Sequence, residues 1–275
     1  MTESNRIGID IGGTHIRLGV VRNGQVVQRH QEPVGRHRHP SDIASRLQHI
    51  SEELLNTDKP DHVGIGLPGI IDINAQRVLR SPHFPEWVDV PFGQILQEAF
   101  TCPMVIDNDA NMALRGEATL GAAKDLNHAI MITLGTGIGG AIMLDRKIVH
   151  GNHGFAGEMG HMVIDRNGPK CACGSRGCWE LYASAQAFQQ PPHTVTDSKE
   201  WHQFGYHLGL GIASLANVLG ITDVIVGGGL SNAWEKFEPS MKNAIPQFTY
   251  PETAAQIRVQ RAYLKEDAAL IGASL

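Results

Sequence analysis

The sequence predicts an α/β protein of two lobes, each built on one copy of a βββαβ unit. Three observations carry this. The order of strand-like and helix-like segments in the first half returns in the second. In each half the first strand ends in a glycine-threonine turn, Asp10-Ile11-Gly12-Gly13-Thr14 and Gly135-Thr136-Gly137. In each half the last strand runs into Pro or Gly, as Leu67-Pro68-Gly69 and Gly227-Gly228-Gly229.

IGIDI (7–11) alternates as a strand, and IRLGVV (16–21) follows the first turn. Asn23-Gly24 then marks a tight hairpin into QVVQRH, because both residues tolerate the positive φ that such turns require. Ile43, Leu47, Ile50 and Leu54 recur at three- and four-residue spacing, the period of an amphipathic helix that closes before Pro60. HVGIGL (62–67) is the fourth strand. In the second half HAIMITLG (128–135), GGAIML (139–144) and KIVHG (147–151) are the three strands, 201–219 is the helix, and DVIVGGG (223–229) closes the unit. Matching turns in two related lobes suggest a cleft with one turn from each side, since backbone N–H groups in such turns make concave sites for phosphate. Either turn alone reads equally well as an ordinary hairpin. Gly135-x-Gly137-x-x-Gly140 matches the dinucleotide fingerprint by letter. That motif must open a helix, whereas here it leads into another apparent hairpin.

Composition excludes little. The chain has 275 residues, 42% hydrophobic and 19% charged, with a net charge of -5, values of an ordinary soluble protein with no bias toward nucleic acid or membrane. No apolar run approaches bilayer length, so a cytoplasmic protein is expected, in which clustered thiols favour metal over disulfide. Arg36-His37-Arg38-His39 reads as a solvated loop.

The densest chemistry lies in GEMGHMVIDRNGPKCACGSRGCWE (157–180). Cys171, Cys173 and Cys178 put three thiols within eight residues, with glycines between them that permit tight folding around an ion. Tetrahedral Zn2+ takes four such ligands, and His161, ten residues before Cys171, is the nearest fourth. Cys171 and Cys173 are poorly spaced to bridge each other, and Cys102 is remote in sequence. Such a metal would hold Glu158, His161 and Glu180 as a rigid polar group. PMVIDNDANMALRGE (103–117) reads as a strand breaking at Asn108-Asp109 into a helix. At that boundary Asp109 is as well explained as an N-cap as by catalysis, and Asp107 is equally a structural strand-end residue.

Taken together these segments resemble the ROK family of sugar kinases and related repressors. DIGGT (Asp10–Thr14) is similar to its first phosphate motif and LGTGIGG (134–140) to its second. GLPGIID (66–72) and DNDAN (107–111) are similar to its sugar and catalytic segments. GEMGH (157–161) with CACGSRGCWE (171–180) resembles its sugar and zinc signature, and VGGGLS (226–231) its adenosine motif. The resemblance implies an actin-like ATPase (ribonuclease H-like) fold with a nucleotide and sugar cleft between lobes. The lobes are expected at 1–118, completed by a C-terminal helix near 265–275, and at 119–264. It further implies ATP-dependent phosphorylation of a hexose at C6, with Asp109 as the base. Gly69, Asn108, Asp109, Glu158, His161 and Glu180 would hold the sugar. Asp10, Gly12, Gly13, Thr14, Gly135, Thr136, Gly137, Gly228 and Gly229 would hold ATP, with Asp10 helping to place Mg2+. His161, Cys171, Cys173 and Cys178 would hold structural Zn2+. Glucose is the expected hexose, N-acetylmannosamine or N-acetylglucosamine the alternative, and a homodimer the expected assembly.

Three positions depart from the family pattern. His15 follows DIGGT where Lys is common, His83 stands where Asn is frequent, and the 185–200 stretch is short and Pro-containing. A sugar-responsive repressor of the same family is disfavoured on sequence, because the first phosphate motif begins at Asp10 with no helix-turn-helix segment before it and the charge is acidic. A catalytically dead sugar binder would be expected to lose the base or the phosphate glycines, and both are present.

Overall fold

The computed structural model describes residues 4–56 and 58–275, so the first three residues of the expected N-terminal lobe lie outside it. In the first unit β1 (Arg6–Ile11), β2 (His15–Arg22) and β3 (Gln25–Pro33) form an antiparallel meander. α1 (Pro40–Leu54) then leads to β4 (His62–Leu67), which returns parallel to β1. α1 forms where the periodicity places it. His39 caps its N-terminus, Pro40 occupies the first turn, and Ile43, Leu47 and Ile50 are buried along one face.

Three short strands follow, β5 (Ile70–Asp72), β6 (Arg77–Arg80) and β7 (Val88–Val90), in a small sheet of their own. α2 (Phe92–Ala99) leads to β8 (Met104–Asn108), parallel to β4, and α3 (Asp109–Leu120) starts at once after it. The main sheet is ordered β3-β2-β1-β4-β8.

The second unit repeats this order. β9 (Ala129–Leu134), β10 (Ile138–Leu144) and the two-residue β11 (Lys147–Ile148) are its meander. The glycines of 135–140 therefore lead into an antiparallel strand, as the hairpin reading requires. α4 (Glu180–Ala183) and α5 (Ser198–Leu219) precede β12 (Asp223–Gly227), which lies parallel to β9. α6 (Trp234–Ala244), α7 (Pro251–Ala254) and β13 (Arg258–Arg261) complete the unit, with sheet order β11-β10-β9-β12-β13. α5 is fixed at both ends, by Asp197 accepting from Lys199 N–H and by Gly220 in the left-handed region at φ 67°. The short 185–200 stretch is single 3-10 turns at Ala185–Ala187 and Pro192–Thr194. It is held because Phe188 and Val195 are buried with Trp201, Phe204 and Phe237.

α8 (Ala268–Ser274) packs on β1 and β4 of the first unit. The approach is backbone to backbone: a Cβ on Gly8 would lie 1.8 Å from the Leu270 carbonyl oxygen, and one on Gly64 1.8 Å from that of Ala273. Any larger residue would push the helix off the sheet. The first unit thus comprises residues up to Lys124, His150–Ala156 and Tyr263–Leu275, and the second Asp125–Val149 and Gly157–Ala262. The 150–156 segment, expected in the second lobe, groups with the first because Gly154 packs against the Ile71 carbonyl and His150 and His153 reach Asp107 and Asp72. Among the described residues no helix is long and apolar enough to cross a membrane.

Glu117 explains why the first unit extends beyond 118. It is fully buried. Its Oε2 accepts from the N–H groups of Ala122 (2.6 Å) and Tyr263 (3.2 Å), and its Oε1 from that of Leu264 (2.8 Å). One carboxylate therefore ties down the chain where it leaves this unit and where it returns. Glu117→Ala orphans three backbone donors and opens a cavity, and is expected to cost about 3 kcal/mol or more. A thermal melt should fall by roughly 6 °C or more, and a Tm within 1 °C of wild type would contradict this role.

Candidate active site

In the first unit the candidate residues gather at the C-terminal ends of neighbouring parallel strands, where open α/β sheets bind ligands. Asp10 of β1 is in register with Gly66 of β4, Gly66 with Asp107 of β8, and Leu67 with Asn108. The N-cap question at this junction is decided by Asn108. Its Oδ1 accepts from Ala110 N–H (2.9 Å) and Asn111 N–H (3.4 Å), and its Nδ2 donates to the Gly69 carbonyl at 3.1 Å. Asp109 is the first helical residue, with Oδ1 accepting from Ala110 N–H at 2.9 Å. Its Cα lies 3.3 Å from where a Cβ on Gly66 would stand. Gly69 itself has φ 121°, and a Cβ there would meet the Arg80 carbonyl oxygen at 2.2 Å.

The first turn is closed by Gly12 N–H donating to the His15 carbonyl at 2.8 Å, and the Thr14 carbonyl is taken by Val34 N–H. Asp10 is part-buried and its Oδ2 faces Arg17 at 3.2 Å. Burial pushes its carboxyl up and Arg17 pulls only part of the way back. The His83 ring stacks over the turn, its Nδ1 2.5 Å from where a Cβ on Gly13 would stand. Burial and then the nearby Arg38 hold that imidazole below the ordinary histidine range, so at neutral pH His83 is uncharged beside the turn. Arg36, His37 and His39 are exposed as expected, but Arg38 is half-buried and donates to the His83 carbonyl at 3.0 Å.

In the second unit the Gly135–Gly137 turn is held by residues 184–186. Ala185 N–H donates to the Gly135 carbonyl (2.9 Å), and Ser184 Oγ (3.1 Å) and Gln186 Nε2 (3.0 Å) both donate to that of Thr136. These bonds turn the loop's carbonyls toward 184–186. Gly228 follows β12 with φ 81°, where a Cβ would meet the Leu134 carbonyl oxygen at 2.4 Å, so the two glycine turns adjoin. Gly135 and Gly229 are exposed, and a Cβ on either would meet nothing within 4 Å. A Cβ on Gly137 would meet Glu180 Oε2 at 2.4 Å, so Glu180 lies directly beside this turn.

Glu158, His161 and Glu180 come together with the cysteines in the same unit. His161 Nδ1 is 3.7 Å from Cys171 Sγ and 3.6 Å from Glu180 Oε1, while its Nε2 is 3.8 Å from Glu158 Oε2. Cys173 Sγ and Cys178 Sγ are 3.5 Å apart. The ligand atoms of His161, Cys171, Cys173 and Cys178 all lie within 4.8 Å of one another. Tetrahedral Zn2+ with bonds of about 2.3 Å needs ligand separations of about 3.8 Å, so this donor set fits the ion with shifts under about 1 Å. The Cys171 thiol, buried, is pushed up to about 12, and burial raises Cys178 as well. Buried thiols of that kind become ligands when a cation compensates the thiolate. Locally, the Cys171–Gly174 turn and the Val163–Cys178 bridge fold the loop back on itself. Cys102 stands apart in the first unit, half-buried.

Residues 6–275 match the ROK family, and the chain belongs to that family. It is 30% identical over 312 residues to the glucokinase of Halalkalibacterium halodurans, covering 99% of this chain and 94% of the relative. It is 30% identical over 292 residues to the xylose repressor of Bacillus spizizenii, covering 98% of this chain and 75% of the repressor. Among solved structures, the ROK family glucokinase of Streptomyces griseus in complex with glucose and AMPPNP is 28% identical, with a TM-score of 0.84 over 98% of each chain. The actin-like ATPase fold of these sugar kinases is the fold of this chain.

Proposed function

We propose that this protein is an ATP-dependent hexose kinase acting at the C6 hydroxyl, with glucose as its preferred hexose and an N-acetylhexosamine as the alternative. The observation that supports the reading is the β8–α3 junction, where Asn108 supplies the N-cap and Asp109 is the first residue of the helix, at the C-terminal end of the parallel strands. The likeness to glucokinases along nearly the whole chain supports the substrate class.

In this reading Asn108, Glu158, His161 and Glu180 bind the sugar hydroxyls with the Gly69 backbone, and Asp109 accepts the C6 hydroxyl proton as the oxygen attacks the γ-phosphorus. The bond from that phosphorus to the β,γ-bridging oxygen breaks, ADP leaves, and the product is the sugar 6-phosphate. A carboxylate suffices, because phosphoryl transfer rests mainly on alignment and charge stabilisation. The turns of Gly12, Gly13 and Thr14 and of Gly135, Thr136 and Gly137 hold the phosphates, the N–H groups of Gly12 and Gly135 closing the turns on the His15 and Gly137 carbonyls, and Gly228 and Gly229 adjoin the adenosine.

Asp10 suits Mg2+ as a hard oxygen donor whose buried charge Arg17 compensates only in part; the ion would neutralise charge on the phosphates. His161, Cys171, Cys173 and Cys178 would hold Zn2+, a closed set whose role is to order the sugar-binding residues beside it. With Nδ1 toward the cysteines and Nε2 toward Glu158, His161 belongs to both sets.

The likeness to a xylose repressor favours one other reading, a regulator that binds sugar without consuming ATP. A coupled ADP-release assay over glucose, mannose, fructose, allose, N-acetylglucosamine and N-acetylmannosamine separates the two. The kinase reading expects hexose-dependent ADP release with the highest kcat/KM on glucose. Sugar binding with no ADP release on any member of the panel would favour the regulator. A homodimer is part of the proposal and is checked by light scattering.

A further inference from the structure

We propose that His150 and Asp107 form a positioning pair that sets the strand-to-helix junction carrying Asn108 and Asp109. The inference rests on the kinase reading for its consequence but on geometry for its existence. His150 Nε2 lies 2.7 Å from Asp107 Oδ2, and both side chains are largely out of solvent, at 22% and 13% exposure. The other carboxylate oxygen of Asp107, Oδ1, accepts from Asn108 N–H at 2.7 Å and from Asn111 Nδ2 at 2.8 Å. Three donors therefore converge on one carboxylate, and the bond from His150 is the one that comes from outside β8 and α3.

From Asp107 the bonding runs on through Asn108, which reaches the Gly69 carbonyl with its amide nitrogen and caps α3 with its amide oxygen. Turning the Asp107 carboxylate would disturb both, and with them the start of the helix from which Asp109 projects. Asn111 raises the stake. It is buried, and its Oδ1 has no hydrogen-bond partner, so loss of Asp107 would strand its whole amide.

His150 is held in place from its far side as well. Its carbonyl accepts from Ala156 N–H at 3.0 Å, closing the 150–156 loop. The loop is pinned to β5 by Gly154 against the Ile71 carbonyl and by His153 Nδ1 at 3.3 Å from Asp72 Oδ2. Asp107 holds the His150 imidazole above the ordinary histidine range despite its burial. Arg115, further along α3, also senses the Asp107 charge.

The test combines kinetics and spectroscopy on the full chain. His150→Phe should lower kcat about 10-fold and leave KM for ATP within about twofold, because the defect lies in orientation and not in nucleotide binding. His150→Gln places an amide nitrogen near the Nε2 position and should recover most of the loss. Combining His150→Phe with Asp107→Asn should cost little more than the worse single change, since both break one bond. A His150→Phe enzyme within twofold of wild type, additive losses, or equal losses in the Phe and Gln variants with a lowered Tm would each overturn the positioning role. Independently of turnover, NMR titration should find the His150 pKa lower in Asp107→Asn than in wild type, because the carboxylate that favours the charged imidazole is gone. An unchanged value overturns the pair itself. A wild type that phosphorylates no hexose would remove the base to be positioned, while the titration still decides whether the pair exists.

Discussion

Asp109→Asn is expected to lower kcat by about 100-fold or more while hexose affinity stays within a few-fold of wild type. The exchange is nearly isosteric, and the surroundings favour its tolerance. Asn108, not Asp109, supplies the N-cap, so loss of the Asp109 charge costs the helix only a first-turn dipole contribution of about 0.3–1 kcal/mol. The bond from Ala110 N–H to Oδ1 survives in the amide. What is lost is the capacity to accept a proton. Rapid kinetics together with calorimetric sugar titration would check this, and turnover within a few-fold of wild type would remove Asp109 from the chemistry.

The second large effect concerns the cysteine cluster. We expect one zinc per chain by elemental analysis of untagged protein. Cys173→Ser is the informative variant, because Cys173 is exposed whereas Cys171 and Cys178 are buried. Loss of its own packing is therefore small, and the change isolates loss of a ligand. It should lower Tm by about 6–20 °C, the equivalent of about 3–5 kcal/mol, and weaken hexose binding about 10-fold or more. The link to sugar is spatial: His161 joins the cluster to Glu158, and Glu180 lies 3.3 Å from Cys171 Sγ. Affinity for a non-hydrolysable ATP analogue should persist in the folded fraction. Glu180 also lies beside Gly137, so collapse of nucleotide affinity with sugar affinity intact would place the metal's role on the phosphate side. Protein free of metal with full activity would remove the site altogether.

Both meanders, the α1 and α5 helices and the closing strands were legible because each is a run of one period bounded by glycine, proline or a cap. HVGIGL was read at its observed bounds, and α1 closes before Pro60. What escaped was short or irregular. β5, β6 and β7 have three or four residues each, too few for alternation to stand out. KIVHG was read as one strand to 151, yet pairing stops at Ile148, since His150 turns away to Asp107 and Gly151 takes φ 64°.

The candidate site divides in the same way. The clustering of His161, Cys171, Cys173 and Cys178 could be read from spacing because all four lie within one short segment. The His150–Asp107 pair joins residues 43 apart in sequence, and Glu117 reaches Leu264 across 147. No local pattern announces either bond. The only trace was an acidic residue at a strand end and a histidine next to a glycine turn.

Phosphorus-31 NMR of the wild-type protein with ATP, Mg2+ and glucose tests the central claim most directly. The account predicts that the γ-phosphate signal disappears hexose-dependently and returns as a phosphomonoester coupled to the C6 protons of the sugar, in step with ADP. Signal appearing only as inorganic phosphate, phosphate on a different hydroxyl, or ATP left unconsumed with every hexose of the panel would contradict it.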